Sequence, residues 1–297
     1  MQADTILGIQ QMEARKTFKK QKEMVAGFQG EPGAFSQSAA RKLLGEAVQT
    51  QPFSSFRDVF EALRASRITH AVIPIENTLH GSVLENYDHI LEYGFPICGE
   101  TSIRIAHQLI AMPHVSLRDV KLVYSHPVAL SQCRIFFQKN PGMQATTFYD
   151  TAGSVKMLRQ EMPENAAAIA SADAAEIYSG RILKRNIEDN RQNFTRFFLL
   201  TKQKSTVVSS SAKSKVSITF TAANTPGSLF RAMACLALRE LNIIKIESRP
   251  LVGKPWEYRF YVDFLGSMKD TAVQNALANL SEMTQACHVL GNYQPTP

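Results

Sequence analysis

The sequence predicts an α/β protein in two parts, and three observations carry that prediction. Residues 25–178 repeat a unit of short apolar strand, polar turn and helix. Residues 216–290 follow a different order, βαββαβ, the ferredoxin-like split unit. Between the two parts, residues 202–215 are rich in Ser and Lys and lack a periodic apolar pattern, which marks a linker.

The first strand is residues 25–29, followed by Gly30-Glu31-Pro32-Gly33 and a helix opening near Ala34. A strand at 70–75 runs through a polar turn into a helix over about 82–93. Residues 121–124 feed Ser125-His126-Pro127 and a helix over 128–138. Residues 146–149 feed Asp150-Thr151 and a helix to 160, and 167–170 feed Ser171-Ala172-Asp173 and a helix to 178. Repeated units of this kind predict a largely parallel sheet. The second part reads as strand 216–221, helix 227–241, strand 243–248, alternating strand 256–264, helix 270–283 and strand 286–290. The polar segment 1–24 reads as a frayed or helical arm.

A chain of 297 residues is long enough for about two domains, and 44% apolar residues supply a core for each. No stretch approaches the ~20 consecutive apolar residues of a membrane span, and no signal-peptide run follows the N-terminus, so a cytoplasmic address is expected. Of the net charge of +7, residues 1–24 carry +2 and residues 202–215 carry +4. The remaining body is near neutral and the basic segments lack interleaved aromatics, so no nucleic-acid surface is expected. Cys98, Cys133, Cys235 and Cys287 are widely spaced in apolar surroundings, which favours reduced thiols over a disulfide framework or a zinc site.

Open α/β folds bind ligands beyond the carboxyl ends of their strands, where helix N-termini offer unpaired N–H groups to carboxylates. The Ser, Thr, Asn and Gly residues stand at those junctions. Each is either a ligand contact or an ordinary N-cap, and composition alone leaves both open.

Four short motifs recur in order: Pro74-Ile75-Glu76-Asn77-Thr78-Leu79-His80-Gly81-Ser82-Val83, Ser125-His126-Pro127-Val128-Ala129-Leu130-Ser131-Gln132-Cys133, Asn193-Phe194-Thr195-Arg196-Phe197-Phe198, and Glu247-Ser248-Arg249-Pro250. With them the chain resembles a prephenate dehydratase with a C-terminal ACT domain, from about residue 25 to about residue 293. The resemblance implies a two-lobed, periplasmic-binding-protein-like catalytic domain over 25–201, with lobe 1 at about 25–104 and 185–201 and lobe 2 at about 105–184. It implies a ferredoxin-like ACT domain over 216–293.

The family reaction expels carbon dioxide and water from prephenate to leave phenylpyruvate. Aromatisation drives it, so no cofactor and no metal are expected. By resemblance, the Thr195 hydroxyl faces the departing ring hydroxyl, and Phe197 walls the cleft. Asn77, Gly81 and Ser82 contact substrate from one turn, Ser125 and Gln132 from the next, and Ser36 and Thr151 complete the polar ring. Arg196 either pairs with a substrate carboxylate, holds Glu76 or caps a helix. His126 reads as a structural histidine, because loss of carbon dioxide needs no base.

Asn224, Pro226, Gly227, Ser228 and Leu229, with Glu247, Ser248, Arg249 and Pro250, are implied to enclose phenylalanine as an effector across the interface of a homodimer or a dimer of dimers. Val128 stands where many members have Gln, and His80 where Gly is frequent. The 24 residues before the first strand are too few for a fused chorismate mutase, so a monofunctional enzyme is expected. The rivals are an arogenate dehydratase, which acts on an ammonium-bearing substrate, and a non-catalytic binding module. An aromatic hydroxylase is disfavoured, since His107, His114 and His126 lack iron-ligand placement.

Overall fold

The computed structural model describes residues 24–203, 214–251 and 253–296. All but the margins of the expected arm (1–24) and linker (202–215) lie outside the described residues. Lobe 1 begins with β1 (Val25–Gln29), α1 (Phe35–Leu44), β2 (Gln49–Phe53), α2 (Phe56–Arg64), β3 (His70–Asn77), β4 (Gly81–Ser82), α3 (Leu84–Tyr93) and β5 (Ile97–Arg104). The chain then enters lobe 2, with β6 (Gln108–Ala111), β7 (Leu122–Ser125), α4 (Pro127–Ser131), α5 (Arg134–Lys139), β8 (Gln144–Thr147), α6 (Thr151–Glu161), β9 (Ala166–Ala170), α7 (Ala172–Ile177) and β10 (Arg181–Lys184). It returns to lobe 1 as β11 (Phe194–Thr201). A C-terminal unit follows: β12 (Lys215–Ala222), α8 (Ser228–Ala237), β13 (Ile243–Pro250), β14 (Tyr258–Leu265), α9 (Thr271–Met283), β15 (Ala286–Tyr293) and β16 (Pro295–Thr296).

Local chemistry sets the helix starts. Ser55 accepts the Asp58 N–H at 3.1 Å to begin α2, whose Val59, Phe60, Ala62 and Leu63 are buried. Asp150 accepts the Gly153 N–H at 2.7 Å to begin α6. The helix expected over 128–138 is broken in two at Gln132 and Cys133. There the Asp189 carboxylate accepts the N–H groups of Arg134 and Ile135, at 3.0 and 2.9 Å, and gives α5 its own start. The strand expected from 256 begins at Tyr258, because Trp256 sits in a turn at φ 67° with its side chain exposed.

The two lobes share one topology. In lobe 1 β2, β1 and β3 are parallel, and β11 then β5 follow antiparallel. In lobe 2 β8, β7 and β9 are parallel, and β6 then β10 follow antiparallel. The expectation of a largely parallel sheet is therefore corrected to two mixed sheets. The physical reason is the crossing: β6 and β11, the strands that enter from the other lobe, run against the βαβ strands beside them. This is the two-lobed arrangement that the resemblance implies.

In the C-terminal unit the strand order β13-β14-β12-β15 is antiparallel throughout. The unit continues the lobe 1 sheet, since Gly291 of β15 pairs with Ile97 of β5. A Cβ at Gly291 would lie 2.3 Å from the Ile97 carbonyl oxygen, so only glycine permits this approach. Tyr261 and Tyr293 of the unit are buried in the same apolar cluster as Phe60, Ile73 and Phe198 of lobe 1.

Candidate active site

A cleft of about 430 Å³ lies between the lobes, where the chain crosses from β5 to β6. Its size suits a small organic ligand. The β3–β4 hairpin forms one wall, with Asn77, His80, Gly81 and Ser82. Asn77 pairs with Gly81 across a three-residue loop, and Gly81 takes φ 77°, the left-handed position such loops assign to glycine. Helices α1, α3 and α6 start at the cleft, which Ser36, Val83 and Thr151 line. No side chain caps α1 and its first turn holds no acidic residue, so its N-terminal N–H groups present a positive end, whereas the Asp150 carboxylate already caps α6.

Thr195 enters the cleft from β11, directly opposite Asn77 of β3. The Asn77 side-chain carbonyl accepts the backbone N–H of Leu79 at 2.9 Å and of His80 at 3.0 Å. That fixes the amide orientation and aims Nδ2 at the Thr195 Oγ1, 3.0 Å away. Because Thr195 accepts this bond, its own hydroxyl proton remains available to donate into the cleft.

On the lobe 2 side, Gln132 receives His107 Nε2 at 2.7 Å on its carbonyl and donates its amide to His80 Nδ1 at 3.1 Å. Burial lowers the His107 pKa and keeps its ring neutral. His126 lines the cleft and its Nδ1 accepts the Val128 N–H at 3.3 Å, as cap of α4. Phe35, Pro74, Val83, Ile105, Val128 and Phe197 supply apolar walls. Among the described residues, no Asp or Glu lines this pocket, but the space beside it, which shares Phe35, Ser36, Val83, His126, Val128 and Thr151, is also lined by Glu85 and Asp150.

Of the residues expected to contact substrate, the cleft gathers Ser36, Asn77, Gly81, Ser82, Gln132, Thr151, Thr195 and Phe197. Two are corrected. Ser125 is fully buried and its hydroxyl donates to the Ile169 carbonyl at 2.6 Å, which ties β7 to β9. Arg196 follows Thr195 on the strand and so points to the opposite face. There its guanidinium meets Asp263 at 2.7 Å, Glu100 at 2.5 Å and Glu76 at 3.7 Å, within an interface to the C-terminal unit. Ser82 is corrected in part, because its hydroxyl donates to the Glu247 carboxylate and leaves only the backbone for a ligand. Sequence reasoning missed His107, which sits in the three-residue crossing between β5 and β6 where no strand–helix junction drew attention to it.

The expected effector segments lie in different surroundings. Residues 224–227 are an exposed turn before α8. Glu247 and Arg249 on β13 turn to lobe 1, where Arg249 pairs with Asp88 at 2.6 Å.

The sequence pattern of prephenate dehydratase matches residues 26–205, a stretch that includes both halves of the cleft and the Thr195 strand. The chain belongs to the prephenate dehydratase family. Members of this family are carbon–oxygen lyases. The chain is 40% identical over 275 residues to arogenate dehydratase/prephenate dehydratase 2 of Arabidopsis thaliana, a chloroplastic protein, covering 90% of this chain and 71% of that one. Among solved structures, prephenate dehydratase from Arthrobacter aurescens in complex with L-Phe superposes with a TM-score of 0.84 at 28% identity, covering 91% of this chain and 90% of the other. GqqA, described as a novel type of quorum quenching acylase, superposes with a TM-score of 0.85 at 32% identity, covering 92% of this chain and 98% of the other. Among the described residues, no helix is long and apolar enough to cross a membrane.

Proposed function

We propose that this chain converts prephenate to phenylpyruvate, and that the Thr195–Asn77 pair carries the chemistry. Loss of carbon dioxide leaves an electron pair that aromatises the ring as the carbon–oxygen bond at the ring hydroxyl breaks. The departing hydroxide needs one proton, which the Thr195 hydroxyl supplies and water replaces. The Asn77 N–H, 3.0 Å from Thr195 Oγ1, stabilises the charge that develops on that oxygen. Helix N-termini and the His and Gln side chains receive the two substrate carboxylates.

The single observation that carries this reading is an amide-supported hydroxyl that enters the cleft between the lobes. An acylase, as the neighbour GqqA is described, would use a nucleophile paired with a base. Here the partner of Thr195 is an amide.

The domain layout of 25–201 followed by 216–293 goes with this proposal, with the C-terminal unit read as an ACT domain that takes phenylalanine. The complex of the Arthrobacter relative with L-Phe supports that effector. Phe230, Leu238, Ile244 and Ile246 are exposed on the outer side of the unit, which supports a homodimer or a dimer of dimers. The four cysteines are free, which fits a reducing compartment such as the cytoplasm.

The test is turnover by the purified chain with prephenate and, separately, arogenate, each with and without phenylalanine. Phenylpyruvate from prephenate, altered by phenylalanine, supports the reading. A preference for arogenate moves it to that substrate, and turnover of neither overturns it.

A further inference from the structure

The β3–β4 hairpin is a thin wall for a binding cleft. β4 has two residues, its pairing with β3 is limited to Glu76 with Ser82 and Asn77 with Gly81, and Leu79 at its tip is 42% exposed. A Cβ at Gly81 would find no atom within 4 Å, so nothing packs on that side of the turn. A two-residue pairing of this kind is marginal without outside support.

The support comes from the C-terminal unit. Lys245 of β13 reaches back to the hairpin, and its ammonium lies 2.8 Å from Glu76 Oε1, 3.0 Å from Ser82 Oγ and 3.6 Å from Glu247 Oε2. Its side chain is only 10% exposed. Ser82 accepts from Lys245 and donates to Glu247, so its hydroxyl is engaged on both sides. Glu76 and Ser82 are cross-strand partners, and each has a direct neighbour, Asn77 and Gly81 respectively, in the cleft wall. One ammonium group from the second unit thus grips both strands of the hairpin from the face opposite the substrate.

Charge makes this grip more than a contact. Glu76 and Glu247 approach Ser82 and Lys245 from two units of the protein, and without the ammonium their carboxylates face each other across Ser82. Arg196 stands 3.7 Å from Glu76 but is already engaged by Glu100 and Asp263, so it cannot replace Lys245 at Ser82. A partly buried carboxylate that loses its cation is costly, and the flexible partner is the one that moves. Here that partner is the hairpin.

We propose that Lys245 is a positioning residue for the catalytic cleft, holding the β3–β4 hairpin in the geometry that binds substrate. The proposal rests on reading the cleft as the prephenate site. It makes the second unit a structural part of that site, and any ligand that shifts β13 moves the substrate wall with it.

The test compares the full chain with Lys245→Met and Lys245→Arg by backbone amide exchange and by steady-state kinetics with prephenate. Expected for Lys245→Met is about tenfold faster exchange over residues 77–83, with α6 and β7 unchanged, and KM raised about tenfold, with kcat lowered as well because Asn77 lies in the loosened segment. Lys245→Arg, which keeps the cation, restores both. Parental exchange at 77–83 in Lys245→Met overturns the proposal. So does faster exchange spread through lobe 2, which would make Lys245 a general stabiliser, or a loosened hairpin with parental KM. If the parent turns over neither prephenate nor arogenate, the substrate reading fails, and exchange over 77–83 still decides whether Lys245 holds the hairpin.

Discussion

The Asn77 amide and the Thr195 hydroxyl stand opposite each other on antiparallel strands, 3.0 Å apart, with the amide turned by its own side-chain turn so that it must donate. Sheet register therefore places the proton donor. Thr195→Ala removes the donor and leaves the walls, so kcat falls on the order of 10²–10⁴ with KM near the parental value. Thr195→Ser keeps the hydroxyl and retains most of kcat. Initial rates for the two variants check this, and a Thr195→Ala enzyme with parental kcat sinks the assignment.

One residue further along β11, the chemistry changes from catalysis to assembly. Arg196 lies among Glu100, Asp263 and Glu76, and its guanidinium also sits 4.8 Å from the Phe198 ring centre. Burial opposes its charge, but the neighbouring carboxylates hold it protonated. Arg196→Met strands the buried Asp263 carboxylate at the seam between units, while Glu100 keeps its pair with Lys215, at a cost of about 3–5 kcal/mol. Denaturant unfolding should register that loss. Below the melting range KM for prephenate stays within about twofold, and a large rise in KM would return Arg196 to the substrate.

Strand–turn–helix units made the elements at the cleft legible, because each unit carries its own cap and apolar pattern. Ser36, Asn77, Gln132 and Thr151 stand at or beside such ends, whereas Thr195 was legible only through the resemblance, and the cleft gathers all five. What escaped was the consequence of crossing. No helix follows strand β5, β6 or β10, so nothing local announced that β6 and β11 would run antiparallel. Arg196 falls on the side of β11 opposite Thr195 by alternation, but its partners Glu100 and Asp263 lie 96 and 67 residues away in sequence. Lys245 could not be read at all, because its partners are 163 and 169 residues away in sequence.

Gly33 is where the lobes touch. It takes φ 91°, its carbonyl accepts the Ser171 hydroxyl at 2.6 Å, and an added Cβ would lie 2.6 Å from the Ala174 Cα. Backbone cannot yield as a flexible side chain would, so Gly33→Ala both strains its own turn and pushes α7 away from α1. A displacement of about 1 Å across the cleft can cost about 10²-fold, and kcat/KM should fall by that order. Small-angle scattering should record a larger radius of gyration for the variant. Parental values of both would mean that the lobes adjust without opening.

Acid stability provides a last test, through the buried His107 and the half-buried His70. Burial lowers the pKa of His107 in the cleft and of His70 at the start of β3, each from 6.5. Each then binds fewer protons in the native state than in the unfolded chain at a pH between its lowered value and 6.5. Stability therefore rises with pH through that window: it is fully present above 6.5 and is lost as pH falls toward the lowered values. Asp150 acts in the opposite sense, since burial raises its pKa from 3.8, but its window begins in the carboxylate range. The melting temperature should accordingly drop by on the order of a few °C between pH 7.5 and pH 5.5. His107→Gln removes one of the two titrations and should flatten that slope, whereas an unchanged slope would show that the His107 ring accepts its proton in place.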